Sequence, residues 1–361
     1  MSTNLKIGSG FRVQDYPYPQ FQNNYGYINQ FPNYPTIDYE KTVKRIKAKS
    51  DFNTVGIAVI TYFLCFLIIT LVILISIFGL NGLSNLDIPS SFESLIDGTV
   101  SLLSLFVSTI IICAIKKIHP REFISFRRDK SVNIASVIFI GISICMLANL
   151  ATSLLASNLN MFGLNYTIPD TTQFNSPFDI VTAIFSVCVV PAFVEEFAFR
   201  GFILHSLRKH GDSFAIFASA LLFGLLHGNF TQAPFAFIVG LVLGYVVVKT
   251  NSLLPAMLIH FFNNFYSVVM DFISNLNFIT SEVFSIISDA TLIAIIIIGI
   301  VLFAKIAKKQ KSFFKLQKQD LIFNFKQNTK MFFSSAGVIV AIIFTLSEAV
   351  YSMITVMLSS R

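Results

Sequence analysis

The sequence lacks several features that would place it in a familiar soluble class. It has no tryptophan, only 12% of its residues are charged, and its four cysteines form no C-x-x-C pair. All four cysteines lie in apolar stretches, which favours buried free thiols over disulfides or a metal site. Walker, dinucleotide-binding, G-x-S-x-G and H-E-x-x-H patterns are also missing, which argues against nucleotide use, a serine triad and a zincin-type zinc site.

Apolar residues are what the sequence has in abundance. Hydrophobic residues make up 54% of the chain, and 40 of its residues are phenylalanine. A soluble chain cannot bury that much apolar surface, and about 20 apolar residues cross one bilayer. We therefore expect an all-α, polytopic transmembrane helical bundle of about nine spans, near residues 54–79, 98–117, 132–156, 178–199, 213–228, 233–249, 253–274, 286–307 and 332–357.

The basic residues alternate from loop to loop. Segments 80–97, 157–177, 229–232 and 275–285 contain no Lys or Arg, whereas the loops between them carry most of the positive charge. The positive-inside rule then predicts a cytoplasmic N-terminus and an outer C-terminus. The net charge of +7 indicates contact with anionic lipid, and no nucleic-acid partner is expected.

Composition divides the chain into four regions. The first is polar, rich in proline, asparagine and tyrosine, and has little periodicity, so we expect a flexible cytoplasmic tail. No cleavable signal peptide is visible before the first apolar run. The regions are the tail at 1–51, membrane helices at 52–177, a polar-site core at 178–275, and membrane helices with a basic cytoplasmic loop at 276–361.

Two adjacent carboxylates stand at the end of a long apolar run. An acidic residue at mid-membrane costs roughly 2.5–3.5 kcal/mol, so Glu195 and Glu196 require partners inside the bundle. Glu196 and Arg200 are four residues apart and share a helix face, whereas Glu195 points about 100° away. This pattern predicts that Arg200 holds Glu196 while Glu195 is free for chemistry. A purely structural ion pair is an equal alternative for Glu196 and Arg200.

Two further polar groups lie in later apolar segments. His227 follows Phe223 by one helical turn, and His260 shares a face with Asn264. Three helices can thus direct a carboxylate, two imidazoles and an amide at one cavity. We expect Phe223 and Asn263 to pack between helices and Asn229 to cap a helix end. The three histidines in or beside basic loops are expected to meet solvent: His119, His205 and His210.

These three motifs, E-E-x-x-x-R, F-x-x-x-H and H-x-x-x-N in this order, resemble the CPBP family of intramembrane proteases. That family comprises CAAX proteases and bacteriocin-processing enzymes, and is also called Abi. The resemblance covers roughly residues 178–275, which makes that region the expected catalytic core. It implies a multi-pass protease of the cell membrane, and we expect the plasma membrane of a bacterium. The matching positions are Glu195, Glu196, Arg200, Phe223, His227, His260 and Asn264.

Peptide hydrolysis requires a water, a base and donors for the oxyanion. Glu195 can act as the base, His227 can share its water, and His260 with Asn264 can donate to the oxyanion. The resemblance implies the same roles. One carboxylate with two histidines is also a plausible zinc set, so zinc held by Glu195, His227 and His260 remains open beside the favoured reaction without a cofactor.

Three functions are compatible with these residues. The first is an intramembrane endopeptidase that cleaves near the cytoplasmic face, acting on a secreted peptide, a leader peptide, a membrane protein or a prenylated-type C-terminus. The second is a non-catalytic immunity or scaffold protein of the same fold. The third is a metal or proton transporter, which the absence of inverted repeats disfavours. The oligomeric state is left open.

Overall fold

The computed structural model describes residues 39–81, 90–126, 133–161, 174–276 and 278–359. This part of the chain is all-α and contains no strand. Two short 3₁₀ helices, Pro120–Glu122 and Lys311–Phe314, lie in loops. The ten helices are α1 (Tyr39–Asn81), α2 (Ser90–Lys116), α3 (Ile134–Met161), α4 (Pro177–Arg208), α5 (Asp212–Leu226), α6 (Gln232–Thr250), α7 (Leu254–Ser274), α8 (Ser281–Lys309), α9 (Phe325–Phe333) and α10 (Ala336–Ser359).

Eight of these helices are long and apolar enough to cross a membrane: α1 to α4, α6 to α8, and α10. The predicted all-α polytopic bundle is confirmed. The exception is the predicted span at 213–228, which is the 15-residue helix α5. At 1.5 Å per residue α5 is about 22 Å long, short of the roughly 30 Å hydrocarbon core. Eight candidate spans therefore replace the expected nine.

The end of the predicted tail is helical. Residues 39–51, expected to be flexible, form the first turns of α1, because their Lys, Glu, Ala and Arg residues favour helix. Here Asp51 accepts from Lys209 at 2.9 Å and lies 3.0 Å from the ring of His210. His210 was predicted to be solvated, and this is wrong, because it is half-buried between Asp51 and Phe52. Residues 1–38 and 127–132 lie outside the described residues.

Small residues let the helices approach closely. Gly56 of α1 lies against the backbone of Gly337 in α10, where a Cβ would overlap it, and the Gly337 N–H donates to Asn53 Oδ1 at 2.9 Å. Ser143 of α3 donates to the Ile295 carbonyl of α8 at 2.7 Å. Packing of this kind replaces the hydrophobic effect as the force between helices in lipid.

Four loops that carry or adjoin basic residues meet at one end of the bundle, here called the basic end: 117–126, 209–211, 251–253, which follows Lys249 of α6, and 310–324. The Leu253 N–H donates to the Ser125 carbonyl at 2.9 Å, which joins the first of these loops to the third. Lys249 donates to the Lys315 carbonyl at 3.0 Å, which joins α6 to the fourth. The predicted grouping of these loops on one side is therefore present in three dimensions.

Residues 310–333, here called the covering segment, pack across the basic end. Tyr245 Oη donates to the Phe313 carbonyl at 2.6 Å. Asn328 Nδ2 donates to the His210 carbonyl at 2.7 Å. Phe332 is fully buried and contacts the Phe52 ring with the centroids 5.7 Å apart. The covering segment is thus part of the folded bundle.

The opposite end is formed by the other termini of the long helices. Phe92, near the start of α2, contacts Phe178 at the start of α4, with ring centroids 6.4 Å apart. Phe174 meets Phe272 near the end of α7 at 5.6 Å. Helix α5 starts at the basic end and is about 22 Å long, whereas α4 is about 47 Å long. The turn after α5 therefore stops short of the opposite end.

Candidate active site

One cavity of about 390 Å³ collects the predicted polar residues. Its walls come from α2, α4, α5, α6 and α7, so the three sequence motifs do converge. The lining residues that carry polar or ionisable side chains are Ser94, Asp97, Ser101, Ser186, Glu195, His227, Gln232, His260, Asn263 and Asn264.

Helix α4 is irregular where it borders the cavity. Its hydrogen bonds switch to the wider π pattern at Ile184–Val189 and again at Glu196–Leu204. In a regular α-helix the Val187 carbonyl would accept from residue 191, but Pro191 has no N–H. Asn264 Nδ2 donates to this carbonyl instead, at 2.7 Å. The side chain of Asn264 on α7 is thus held by the backbone of α4.

Glu196 is the centre of a buried charge network. Its Oε1 accepts from Arg200 Nη1 at 2.9 Å and lies 3.0 Å from His260 Nδ1, and both side chains of the ion pair are fully buried. The predicted pairing of Glu196 with Arg200 is therefore present. Because a carboxylate only accepts, His260 donates from Nδ1, which leaves its Nε2 directed away from Glu196.

Glu195 is offset from Glu196 around the helix, as predicted, and it lines the cavity while Glu196 does not. Its side chain is 16% exposed, and its Oε2 is 3.9 Å from His260 Nε2. That oxygen is buried and has no hydrogen-bond partner among the residues described. Glu195 lies near the middle of α4, since the π segment carries the helix on to Arg208.

His227 ends α5 at the cavity wall. Gly228 has a φ of +57°, a left-handed conformation that glycine adopts without strain, and it stops the helix there. His227 Nδ1 donates to the Phe223 carbonyl at 2.8 Å, so the neutral ring carries its lone pair on Nε2. Because α5 is short, His227 does not lie at the far end of a full span.

Phe223 is a hub for these charged and aromatic groups. The Arg200 guanidinium carbon lies 4.1 Å from its ring centroid, a cation–π distance. The rings of His227 and His260 meet it edge-on at 4.9 Å and 6.1 Å. Phe223 is almost fully buried, which agrees with the predicted packing role.

Asn263, which was predicted to pack between helices, also faces the cavity. It lines the cavity, is 6% exposed, and donates from Nδ2 to Asn264 Oδ1 at 3.1 Å. Its own Oδ1 is buried and has no partner within the described part of the chain. Asn229, expected to cap the end of α5, instead accepts from the N–H groups of Thr231 and Gln232 at the start of α6.

The candidate zinc ligands do not form a ligand set. No group of three His, Cys, Asp or Glu residues is arranged to hold a metal ion in the described residues. His260 also engages Nδ1 with Glu196, and its Nε2 faces the Glu195 carboxylate across 3.9 Å. The described residues therefore present no ready zinc ligand set, and the mechanism proposed below uses only side chains of the protein.

Sequence reasoning missed the wall that α2 contributes. Ser94, Asp97, Gly98 and Ser101 line the cavity. A Cβ at Gly98 would lie 2.8 Å from Ser186 Oγ on α4, so this glycine allows the two helices to meet beside the site. The signal was present as a stripe of small and polar residues at helical spacing in an apolar run.

Comparison with known proteins agrees with this geometry. Residues 177–266 match the family model for Rce1-like type II CAAX prenyl endopeptidases. The chain contains an Rce1-like domain. This confirms the resemblance to CPBP proteases, and the matched segment runs from the start of α4 into α7. No curated protein and no solved structure matches the chain.

The Rce1-like domain holds every residue of the three motifs. Its family is one of proteases, which supports an endopeptidase, and the eight apolar helices support a multi-pass membrane protein. Helices α1 to α3 and α8 to α10 lie outside the matched segment. Of these, α2 supplies a cavity wall that the domain alone does not have.

Proposed function

We propose that this protein is an intramembrane endopeptidase in which Glu195 and His227 activate a water that attacks a peptide carbonyl. The observation that carries the proposal is the convergence of Glu195, His227, His260 and Asn264 on one cavity in otherwise apolar helices. Polar side chains at such depth are costly and mark functional sites.

The attacking water fits between two acceptors. Glu195 Oε2 lacks a described hydrogen-bond partner, and the neutral His227 ring carries its lone pair on Nε2. Glu195 takes a proton from the water as its oxygen bonds to the peptide carbon. That proton is returned to the leaving nitrogen as the C–N bond breaks, and His227 orients the water.

Asn264 supplies a donor for the oxyanion. One of its two amide protons is held by the Val187 carbonyl, and the second remains for the substrate oxygen. The role of His260 depends on whether its ring is protonated. With Nδ1 donating to Glu196, its Nε2 donates to an oxyanion only in the imidazolium form, whereas the neutral ring accepts. Glu196 and Arg200 thus position His260.

The test is Glu195→Gln, compared with Glu282→Gln as a matched control at an exposed position at the start of α8. We expect peptides produced by the wild-type protein to vanish from the peptidome of Glu195→Gln cells and to persist in Glu282→Gln cells. Both variants should elute from detergent purification like the wild type. Full processing by Glu195→Gln would refute the mechanism, and a phenotype that needs the protein but not Glu195 would favour the non-catalytic scaffold.

A further inference from the structure

The cavity that holds Glu195 is lined by carboxylates and by no basic side chain of the described residues. Its two carboxylates are Glu195 on α4 and Asp97 on α2, and the described lining includes neither Lys nor Arg. Arg200 is fully buried in its pair with Glu196 and lies outside this lining. A ligand in the cavity therefore meets two acidic groups and no guanidinium or ammonium group of the described chain.

Asp97 has no partner in the described part of the chain. By contrast, Asp179 at the start of α4 accepts from the Ser176 N–H at 2.7 Å. The Asp97 side chain is exposed, and no ion pair or hydrogen bond joins it to another described residue. The segments 80–97 and 157–177, which lead into α2 and α4, contain no Lys or Arg that could pair with it. This carboxylate is therefore left without a neighbouring cation.

A second cavity adjoins the first at Asp97. It has a volume of about 560 Å³, lies between α1 and α2, and shares Ser94 and Asp97 with the first cavity. Glu93, one helical turn before Asp97, lines it as well. Its other walls include apolar side chains of α1: Phe66, Ile73 and Leu74. Such a space fits a side chain with an aliphatic stem and a cationic end, which is the build of lysine and arginine.

Hydroxyl groups without partners lie in both cavities that Asp97 borders. Ser186 of α4 is 8% exposed, and its Oγ has no partner among the described residues. A Cβ at Gly98 would lie 2.8 Å from this Oγ, so the hydroxyl is directed at α2 beside Asp97. In the second cavity Thr70 Oγ1 is also buried without a described partner. Each of these oxygens can accept a hydrogen bond from an ammonium or guanidinium group.

We propose that Asp97 is a specificity-determining residue that binds a lysine or arginine side chain of the substrate. The proposal rests on the proposed peptidase function and names its substrate class, which is peptides with a basic residue near the bond that is cut. The carboxylate attracts the cationic end, and this attraction is stronger in apolar surroundings than in water. The aliphatic stem packs against the apolar walls of α1.

The length of α4 limits how far this basic residue lies from the cut. Nine positions separate Ser186, which faces α2 beside Asp97, from Glu195. At 1.5 Å per residue this is about 13 Å along the helix. An extended peptide covers that length in about four residues. The basic residue therefore lies within about four positions of the scissile bond.

The test compares two substrates. One is a peptide whose production depends on Glu195, with its basic residue in place, and the other carries norleucine there, which keeps the stem and loses the charge. Both are offered in detergent to the wild type, to Asp97→Asn and to Asp289→Asn. Asp289 is an exposed aspartate of α8 that lines neither cavity, so it is the matched control. Thermal unfolding checks that each variant is folded.

For the wild type we expect kcat/KM to be about 10–100-fold higher for the basic peptide, because that peptide alone donates to the carboxylate. Asp97→Asn should bring this ratio close to one by slowing the basic peptide only, and Asp289→Asn should keep it. Asp97→Lys should reverse the preference in favour of a peptide with glutamate at that position.

Two outcomes would overturn the proposal. Equal cleavage of the two peptides by the wild type would do so without any variant. An equal loss on both peptides in folded Asp97→Asn would show that Asp97 is structural. In either case the peptidase function stands as long as Glu195→Gln abolishes cleavage, whereas full cleavage by Glu195→Gln would refute the peptidase mechanism itself.

Discussion

The basic end and the cavity differ in how completely their buried polar groups are paired. At the basic end, Asp51 pairs with Lys209 and His210, and a cluster of aromatic rings packs beneath them. In the cavity, Ser186 Oγ, Glu195 Oε2 and Asn263 Oδ1 are buried without a described partner, against one such atom at the basic end, Asn328 Oδ1. The difference agrees with a basic end that stabilises the fold and, under the proposed function, with a cavity that leaves polar atoms unpaired for a substrate and water.

The sharpest way to test this contrast is to change a histidine at each end. We expect His227→Ala to lower the cleavage rate about 10²–10⁴-fold, because the reaction loses a group that orients the water and moves protons. His205→Ala, at an exposed position towards the basic end, should retain the wild-type rate. Cleavage of a peptide identified in the peptidome measures both, and equal loss in the two variants would contradict the contrast.

Glu196 is expected to contribute both to the stability of the fold and to the proposed reaction. Glu196→Ala leaves Arg200 as a buried charge without its carboxylate, so we expect a loss of about 3–5 kcal/mol of stability. Thermal unfolding in detergent measures this loss. The double variant Glu196→Leu with Arg200→Met should recover most of the stability but not the cleavage, because His260 still lacks its acceptor. Recovery of both would show that Glu196 is structural only.

The oxyanion assignment predicts a large loss of rate beside a modest loss of stability, because Asn264 also bonds to Val187 and Asn263. Asn264→Leu should reduce the cleavage rate about 10²–10³-fold by removing one donor. Asn275→Leu, an exposed asparagine just after the same helix, should leave the rate unchanged. A variant that keeps the wild-type rate at position 264 would exclude Asn264 as the donor.

The smallest effect is expected at the basic end. Tyr245→Phe removes the hydrogen bond to the Phe313 carbonyl, and a bond of this kind contributes about 0.5–1.5 kcal/mol. We expect a modest decrease in thermal stability and an unchanged cleavage rate. A large loss of activity would show that the covering segment communicates with the cavity.

Much of this structure follows from local patterns in the sequence. Apolar runs predicted the helices, and the i, i+4 spacing of Glu196 and Arg200 predicted their pair. The bounds of α5 were predicted to within two residues, but its assignment as a membrane span was not confirmed, because a helix of 15 residues is too short to be a candidate span. The bond between His260 and Glu196 joins residues 64 positions apart. It depends on how α4 and α7 pack, which no local pattern specifies.

Pro191 removes one backbone N–H from α4 where this helix lines the cavity. An alanine there would let α4 complete its own ladder of backbone bonds, and the helix would be more uniform. The same repair would give the Val187 carbonyl a second donor and weaken its hold on the Asn264 amide. Under the proposed peptidase function, an irregularity in one helix helps to align the oxyanion donor on another, so selection for a more regular backbone would work against turnover.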